Sequence, residues 1–358
     1  MVSYFLNKTF YALLTLFGVV TVIFFLFNIL PGDPAQMMLG QNEDSEQLAI
    51  VKQKYGFDKP ISTQYLYYLN DVSPISFHSN APQEYTYLSA NKYTAAKLFT
   101  IGGITTVVKF PYLRESFTKQ GKKVSQVLAE TLPNTFVLAV SAIIIALILG
   151  VFLGVISALY KNSFLDKIIQ ITSTIGMSVP SFFSAIVFAW VFGFVLHKYT
   201  NLEMTGSLLE LDDYGEAMHI KWRNLILPAI VLGIRPLAVV IQLMRNSLLE
   251  VLNQDYIRTA RAKGLSEYQI IKKHAIKNAM NPVVTAISGW FASMLAGAVF
   301  VEYIFGWNGL GKEIVNALNT LDLPVIMGAV LIIALLFIII NIFVDIIYAW
   351  LDPKVKLQ

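Results

Sequence analysis

Cysteine is absent and charged side chains are scarce in this chain of 358 residues. Without cysteine there can be no disulfide scaffold, thiolate metal site or cysteine nucleophile. Charged residues make up 14% of the chain and hydrophobic residues 56%, with a mean hydropathy of +0.60, whereas soluble domains carry about 25% charged residues. This composition excludes an ordinary soluble enzyme and a disordered chain, and the net charge of +4 is too small to indicate nucleic acid binding. A membrane protein is the class that remains.

Histidine and catalytic motifs are also scarce. The four histidines, at positions 78, 197, 219 and 274, show neither the H-E-x-x-H pattern nor paired ligand spacing, so no metal site is predicted. There is no G-x-S-x-G motif, although an intramembrane Ser/His protease need not contain one. No catalytic motif is therefore evident, and an intramembrane hydrolase stays open as an alternative.

Long apolar runs supply six candidate membrane spans. They cover approximately residues 9–30, 134–159, 168–196, 225–244, 283–301 and 326–350. Within them we find only two charged residues, Arg235 and Asp345, and such avoidance of charge is typical of helices in lipid. The sequence therefore predicts an all-α polytopic membrane protein with six transmembrane helices.

Lysine and arginine near the span ends fall mainly on one side of the predicted membrane. With the N-terminus inside, about 12 of them lie on the cytoplasmic side and about 4 outside, which by the positive-inside rule places both termini in the cytoplasm. This topology predicts an N-terminal transmembrane helix over 1–30, an extracytoplasmic segment over 31–133, and a five-helix core over 134–358 with cytoplasmic helices near 249–280.

The extracytoplasmic segment has local patterns of its own. Ser45 to Tyr55 and Ile61 to Leu69 have apolar side chains at helical spacing, which predicts two short amphipathic helices. Between about Val72 and Phe110 the chain becomes rich in Tyr, Thr, Val and Phe around Gly102-Gly103, which favours strands and a small β hairpin.

The cytoplasmic segment between the fourth and fifth spans is the most informative. It reads Tyr256-Ile257-Arg258-Thr259-Ala260-Arg261-Ala262-Lys263-Gly264-Leu265-Ser266-Glu267 and continues into the basic stretch Ile270 to His274. A helix rich in Ala, Arg and Lys, ended by a glycine and followed by a second basic helix, predicts a compact two-helix unit. This unit is either a basic loop held near anionic lipid or a docking surface for a cytoplasmic motor.

Together with motifs elsewhere, this segment resembles the B-type permease subunit of bacterial peptide/nickel ATP-binding-cassette importers. The signature runs from Asp255 to Leu265, and further matches follow the family order over nearly the whole chain: Leu30-Pro31-Gly32-Asp33-Pro34, Tyr55-Gly56-Phe57-Asp58-Lys59-Pro60 with Gln64-Tyr65-Leu66, Glu130 to Thr135, Ser178-Val179-Pro180-Ser181-Phe182, Gly306 to Gly311 and Leu351-Asp352-Pro353. Two departures are Arg258-Thr259-Ala260 in place of the general Glu-Ala-Ala, and about 40 residues over 72–110 with no expected counterpart.

The resemblance implies a subunit of an importer in the bacterial inner membrane, a subunit that is not itself an enzyme and has no cofactor of its own. It implies a second homologous permease, two ATPases that bind ATP and Mg²⁺ in the cytoplasm, and an extracytoplasmic solute-binding protein. Contact with the ATPases would fall on a lever helix over Arg258 to Glu267, with the coupling residues Arg258, Thr259, Ala260, Arg261, Ala262, Lys263, Gly264, Leu265 and Glu267. Peptide is the commonest family substrate, and nickel complexes, glutathione and opines are the alternatives.

A self-sufficient secondary transporter is the alternative from another class, but it predicts intramembrane carboxylates and inverted repeats that are not evident here. For the solute pathway, Arg235 is the leading candidate because a charge in mid-span must either pair with a neighbouring group or face water, where it could meet a peptide carboxylate. Pro180 and the adjacent Ser181 are further candidates, since a proline inside a span kinks or breaks a helix that lines a cavity.

Glycines recur at short spacing in two places, near residues 306–311 and at residues 150 and 154. Gly306 to Lys312 has the spacing G-x4-G-K of a phosphate-binding loop, but it follows a span and position 313 is Glu instead of Ser or Thr. We expect an outer turn with Trp307 at the membrane interface. Gly150 and Gly154 form a small-x-x-x-small pair that predicts close helix packing, and Pro133 is expected at the N-terminal position of the second span.

Overall fold

The computed structural model describes residues 2–29, 35–36, 45–211 and 217–351 of the chain. The motifs at Leu30 to Pro34 and Asp352-Pro353 lie outside the described residues. The helices within this part of the chain are, in order, α1 (Val2–Ile29), α2 (Ser45–Tyr55), α3 (Ile61–Val72), α4 (Val124–Leu159), α5 (Phe164–Ser178), α6 (Ser181–Phe188), α7 (His197–Thr200), α8 (Arg223–Leu252), α9 (Asp255–Ala262), α10 (Glu267–Ile270), α11 (Ile276–Ala279), α12 (Asn281–Gly297), α13 (Val299–Phe305), α14 (Leu310–Asn319) and α15 (Leu323–Leu351). π-helical turns at Ala189–Val195 and Ile271–Ala275 continue α6 and α10.

Within the described residues, four helices are long and apolar enough to cross a membrane: α1, α4, α8 and α15. Two bent pairs pass the same test, α5 with α6 and its π-helical continuation at 108°, and α12 with α13 at 58°. The six predicted spans arise when each bent pair counts as one. The first break falls where the sequence predicts it, because Pro180 stands at the N-cap of α6 and has no N–H for a continued helix.

The prediction for Pro133 is wrong. The helix α4 begins at Val124, so Pro133 lies in its interior. A proline there removes one helical hydrogen bond. The turns that precede it are held by burial instead, since Val124, Val127 and Leu128 are 0%, 1% and 3% exposed.

The chain divides into two compact units. One comprises residues 1–4, 131–313 and 336–358, and the other comprises residues 5–130 and 314–335. In the first unit, α4 packs closely on α8 at the predicted glycine pair. A Cβ on Gly150 would lie 2.6 Å from Val240 Cγ1, and a Cβ on Gly154 would lie 2.7 Å from Met244 Cβ. The prediction of a close-packing glycine pair is therefore confirmed.

The second unit contains an antiparallel sheet of strands β1 (Ile75–Ser79), β2 (Ala95–Ile101) and β3 (Ile104–Lys109), in the order β1-β3-β2. The predicted hairpin joins β2 to β3 through Gly102 and Gly103, whose φ values of 56° and 84° suit glycine. Two-stranded pairing of β4 (Leu209–Leu211) with β5 (Met218–Ile220) occurs in the first unit.

Polar side chains fill the interior beneath the three-stranded sheet. Asp71, which is 1% exposed, accepts hydrogen bonds from Tyr85 Oη at 2.7 Å, Tyr93 Oη at 3.0 Å and Arg114 Nε at 3.0 Å. The Lys109 ammonium donates to the Asp71 carbonyl, and burial lowers the pKa of Lys109 to about 8. The opposite face of the sheet is exposed and apolar, with Ile75, Phe77, Phe99, Ile101, Ile104 and Val108.

Candidate functional site

The helix pair formed by α9 and α10 is ended and restarted by local sequence signals. Gly264 adopts φ 78°, its N–H bonds to the Arg261 carbonyl at 2.9 Å, and the Leu265 N–H bonds to the Ala260 carbonyl at 3.3 Å. This is a Schellman motif with glycine at C′. A capping box between Ser266 and Gln269 then starts α10.

These signals correct the predicted lever. A single helix from Arg258 to Glu267 does not form, because the left-handed Gly264 ends α9 at Ala262. Glu267 is instead the first residue of α10. The predicted unit of two helices separated by a glycine is confirmed, but the segment is a corner and not one rod.

The helix pair is anchored to the end of α8 by an apolar side. Ile257, Ala260 and Ile270 are 0%, 7% and 0% exposed, and they cluster with Met244 and Leu248 of α8. Of the predicted coupling residues, Ala260 is therefore an anchor and Leu265 is half-buried. The others form the exposed surface of the pair: Arg258, Thr259, Arg261, Ala262, Lys263, Gly264 and Glu267.

An ion pair crosses the corner on this surface. Arg261 Nε donates to Glu267 Oε1 at 2.8 Å and Arg261 Nη2 to Glu267 Oε2 at 3.3 Å. The hydrogen bond from Arg261 lowers the pKa of Glu267, and that from Glu267 raises the pKa of Arg261. Since both side chains are largely exposed, we expect the pair to orient the two helices more than it stabilises them.

A buried ion pair that the sequence did not predict links the end of α4 and the start of α5 to α8 in the first unit. Asp166 in the first turn of α5 accepts Arg245 Nε at 2.9 Å and Nη2 at 2.8 Å, and also Ser157 Oγ at 2.5 Å. Asp166 is 3% exposed, and Ser163 caps its helix. The pattern Ser-x-x-Asp at 163–166 was the available signal, because it marks a helix start whose acidic residue can serve a second partner.

A cavity lies where the break between α5 and α6 meets α8 and α12. Its volume is about 90 Å³. Arg235 and Ser181 both line it, so the structure brings together two of the three predicted pathway residues, with Pro180 at the break beside Ser181. The lining residues that the sequence did not predict include Ser184 of α6 and Trp290 and Ser293 of α12. Trp290 and Ser293 lie more than 50 residues from Arg235 along the chain, and nothing in the local pattern of the three residues marks them.

The loop with phosphate-loop spacing binds a carboxylate of its own chain. Glu302 of α13 is fully buried, and its Oε2 accepts the backbone N–H of Gly311 at 2.7 Å and of Lys312 at 3.2 Å, at the start of α14. A Cβ on Gly309 would collide with this carboxylate, and one on Gly311 would lie 2.5 Å from Val299 Cα. The glycines are therefore needed for close approach to Glu302 and α13.

The expectation that Trp307 lies at the membrane interface is wrong. Trp307 is 0% exposed and belongs to the main core of the first unit. Its indole Nε1 donates to the Asn134 carbonyl at 3.0 Å, which satisfies the one polar group of the ring and permits burial. Asn134 Nδ2 in turn donates to the Asn308 carbonyl at 2.7 Å, so two of the motifs that carry the family resemblance contact each other.

Comparison with known proteins identifies the family. The model for the inner membrane component of binding-protein-dependent transport systems matches residues 150–357, and the model for the N-terminal part of such membrane components matches residues 1–83. Residues 84–149, which include β2 and β3, lie outside both matches.

Curated relatives match over nearly the full length. The dipeptide transport system permease protein DppB of Bacillus subtilis is 32% identical over 98% of this chain and 97% of its own. The di/tripeptide transport system permease protein DppB of Pseudomonas aeruginosa is 32% identical over 96% of both chains, and the glutathione transport system permease protein GsiC of Salmonella choleraesuis is 30% identical over 99% of both. The chain is therefore a multi-pass membrane protein that belongs to the family of inner membrane components of binding-protein-dependent transport systems.

Proposed function

We propose that this chain is one of two permease subunits of an ATP-driven importer of peptides, and that it forms half of the solute pathway. Support for peptides comes from the relatives named as dipeptide and di/tripeptide permeases, whereas the relative named as a glutathione permease represents one of the alternative substrates. Membership of a binding-protein-dependent family favours this function over a self-sufficient secondary transporter.

The observation that carries the ATP-driven part is the helix pair α9 and α10. Its apolar side is anchored on α8, which also carries Arg235, while Arg258, Lys263 and Gly264 face outward. A rigid element joined to a pathway helix can convert movement of a docked ATPase into movement of that helix. The coupling surface is thus the exposed side of the pair, from Arg258 to Glu267, with Ala260 as an anchor beneath it.

We assign the remaining parts to partners. The loop with phosphate-loop spacing holds Glu302, so ATP and Mg²⁺ would bind two cytoplasmic ATPase subunits. A second homologous permease would complete the pathway, and an extracytoplasmic binding protein would deliver the solute. The distribution of Lys and Arg around the spans supports cytoplasmic termini and an outer location for residues 31–133.

Copurification and transport test this function. An affinity-tagged chain extracted in detergent should bring down a second permease and ATPase subunits, and the complex should import a labelled dipeptide into vesicles only with ATP and the binding protein. A chain that purifies alone and takes up solute on an ion gradient would overturn the proposal. ATP-dependent uptake of a nickel complex or an opine, without peptide uptake, would correct the substrate.

A further inference from the structure

The guanidinium of Arg235 has no partner in the part of the chain that the structure describes. Arg235 lies in the helix α8, about 18 Å along the axis from Arg223, and its side chain is exposed. Neither a hydrogen bond nor an ion pair to any described residue holds it. A cation within an apolar span costs several kcal/mol unless water or an anion meets it. Water or an anion from outside the described residues must therefore meet the guanidinium.

The hydroxyl groups around the cavity are also available. Several hydroxyls elsewhere in these spans donate to the carbonyl four residues earlier, as Ser173, Ser178 and Ser288 do. By contrast, the hydroxyls of Ser181, Ser184 and Ser293, all of which line the cavity, make no hydrogen bond to the described residues. Three unpaired hydroxyls and one unpaired guanidinium therefore surround the same space.

The chemistry of this lining selects a carboxylate. A guanidinium binds a carboxylate through two parallel N–H···O bonds, and serine hydroxyls donate to the lone pairs that remain. Among the residues that the structure describes, those lining the cavity include no acidic side chain and no second cation, and Trp290 supplies an apolar wall. A volume of about 90 Å³ holds several water molecules, which is the size of a carboxylate and the first atoms attached to it.

Close backbone packing fixes the position of Arg235. Gly176 near the end of α5 faces Ile234, and a Cβ on Gly176 would lie 3.0 Å from Ile234 Cγ2. Glycine at 176 therefore lets the broken span approach α8 beside the arginine. The break at Pro180 and this approach place the start of α6 against α8, where Ser181 and Arg235 share the cavity.

We propose that this cavity is a carboxylate subsite of the solute pathway, in which Arg235 pairs with the terminal carboxylate of a passing peptide. The proposal rests on the proposed importer function and adds to it a selection step within the membrane. A neutral peptide amide would leave Arg235 and the serine hydroxyls without their anion. Preference for a free carboxyl terminus would thus be partly a property of the permease, separate from that of the binding protein.

The test compares one dipeptide with its C-terminal amide in Arg235→Gln, Arg235→Lys and wild-type complexes. We expect Arg235→Gln to lower uptake of the free dipeptide about tenfold or more, because it removes a charge-assisted bond, and to leave uptake of the amide nearly unchanged. Arg235→Lys should restore part of the loss. The measured quantity is the uptake rate of the free dipeptide divided by that of its amide. Selection by the binding protein affects this ratio equally in every variant, so it cancels when the variants are compared. Arg223→Gln, on the same helix but outside the cavity, is the matched control.

A second measurement does not depend on transport. The free dipeptide should raise the thermal unfolding temperature of the purified wild-type complex, whereas it should have no effect on Arg235→Gln, and the amide should have none on either. Uptake without a change in the ratio, and without this stabilisation, overturns the carboxylate subsite and leaves the importer function standing. Stabilisation by the free dipeptide without ATP-dependent uptake supports the carboxylate subsite and overturns the importer function. Loss of the second permease from Arg235→Gln would assign the arginine to a carboxylate of that partner and also overturn the subsite.

Discussion

Gly264 allows the coupling surface to be tested by separating backbone strain from steric bulk. Its φ of 78° is a conformation that costs an L-residue roughly 1 kcal/mol. No atom lies within 4 Å of a Cβ built on it. In the permease alone, Gly264→Ala and Gly264→Phe should therefore be equally destabilising, by about 1 kcal/mol, which lowers the unfolding temperature by about 2 °C.

The two variants should differ only where an ATPase packs on the corner. Alanine adds one carbon, whereas phenylalanine adds a ring that has room in the free chain but not in a closed interface, where overpacking costs about 1–3 kcal/mol. We expect Gly264→Ala to retain most ATP-dependent uptake. Gly264→Phe should either lose the ATPase subunits on purification or hydrolyse ATP without matching uptake.

The measurements are thermal unfolding, ATP hydrolysis and uptake on one preparation of each variant. Gly121 provides the matched control, because it has φ 73°, is exposed and likewise has open space at its Cβ, but lies outside the helix pair. Gly121→Ala and Gly121→Phe should both transport normally. If Gly264→Phe imports solute as fast as Gly264→Ala, the corner does not contact an ATPase and the coupling argument is refuted.

Two further predictions concern packing and pH. Gly154→Ala places a Cβ 2.7 Å from Met244 Cβ and 2.9 Å from the Ile241 carbonyl oxygen, so it should destabilise the first unit by about 1–3 kcal/mol. Gly18→Ala is the control, because a Cβ on Gly18 meets open space. Equal unfolding temperatures for the two variants would contradict the close packing of α4 on α8. Burial lowers the pKa of Lys109 from 10.5 to about 8, so between these values the unfolded chain binds more protons and stability rises with pH. Lys109→Met should remove this rise and stabilise the sheet by about 1–3 kcal/mol at pH 7. Thermal unfolding at pH 7, 8 and 9 measures both effects. A variant less stable than the wild type at pH 7 would show that the hydrogen bond from Lys109 to Asp71 outweighs the cost of burying the ammonium.

Much of the fold follows from signals that act over a few residues. Pro180 breaks a span, Gly264 ends a helix and Gly102-Gly103 turns a hairpin, because each depends on backbone geometry that its own residue type sets. The six spans were likewise predictable, because the length and hydropathy of each apolar run are local properties of the sequence. These features were predictable without knowledge of what packs against them.

The features that could not be predicted depend on partners far along the chain. Trp307 can be buried because the Asn134 carbonyl accepts a hydrogen bond from its indole N–H. Pro133 is tolerated inside α4 because side chains of the preceding turns are buried. The sequence shows that Arg235 is a charge within a span. Whether another residue of this chain pairs with it could be decided only from the positions of the neighbouring helices. The serines around its cavity look like any helical serines until their hydroxyls are seen to lack acceptors.

The carboxylate of Glu302 behaves as a tethered ligand at the start of α14. Its Oε2 takes the backbone N–H groups of Gly311 and Lys312, the kind of donors that a phosphate-binding loop offers to a nucleotide. Because Glu302 is covalently attached, its carboxyl group acts at a high effective concentration, and short flexible linkers give effective concentrations of about millimolar even between separate modules. A phosphate would have to displace this side chain, so the glycine spacing here marks a site that Glu302 of the same chain already fills, and the filled site joins α13 to α14.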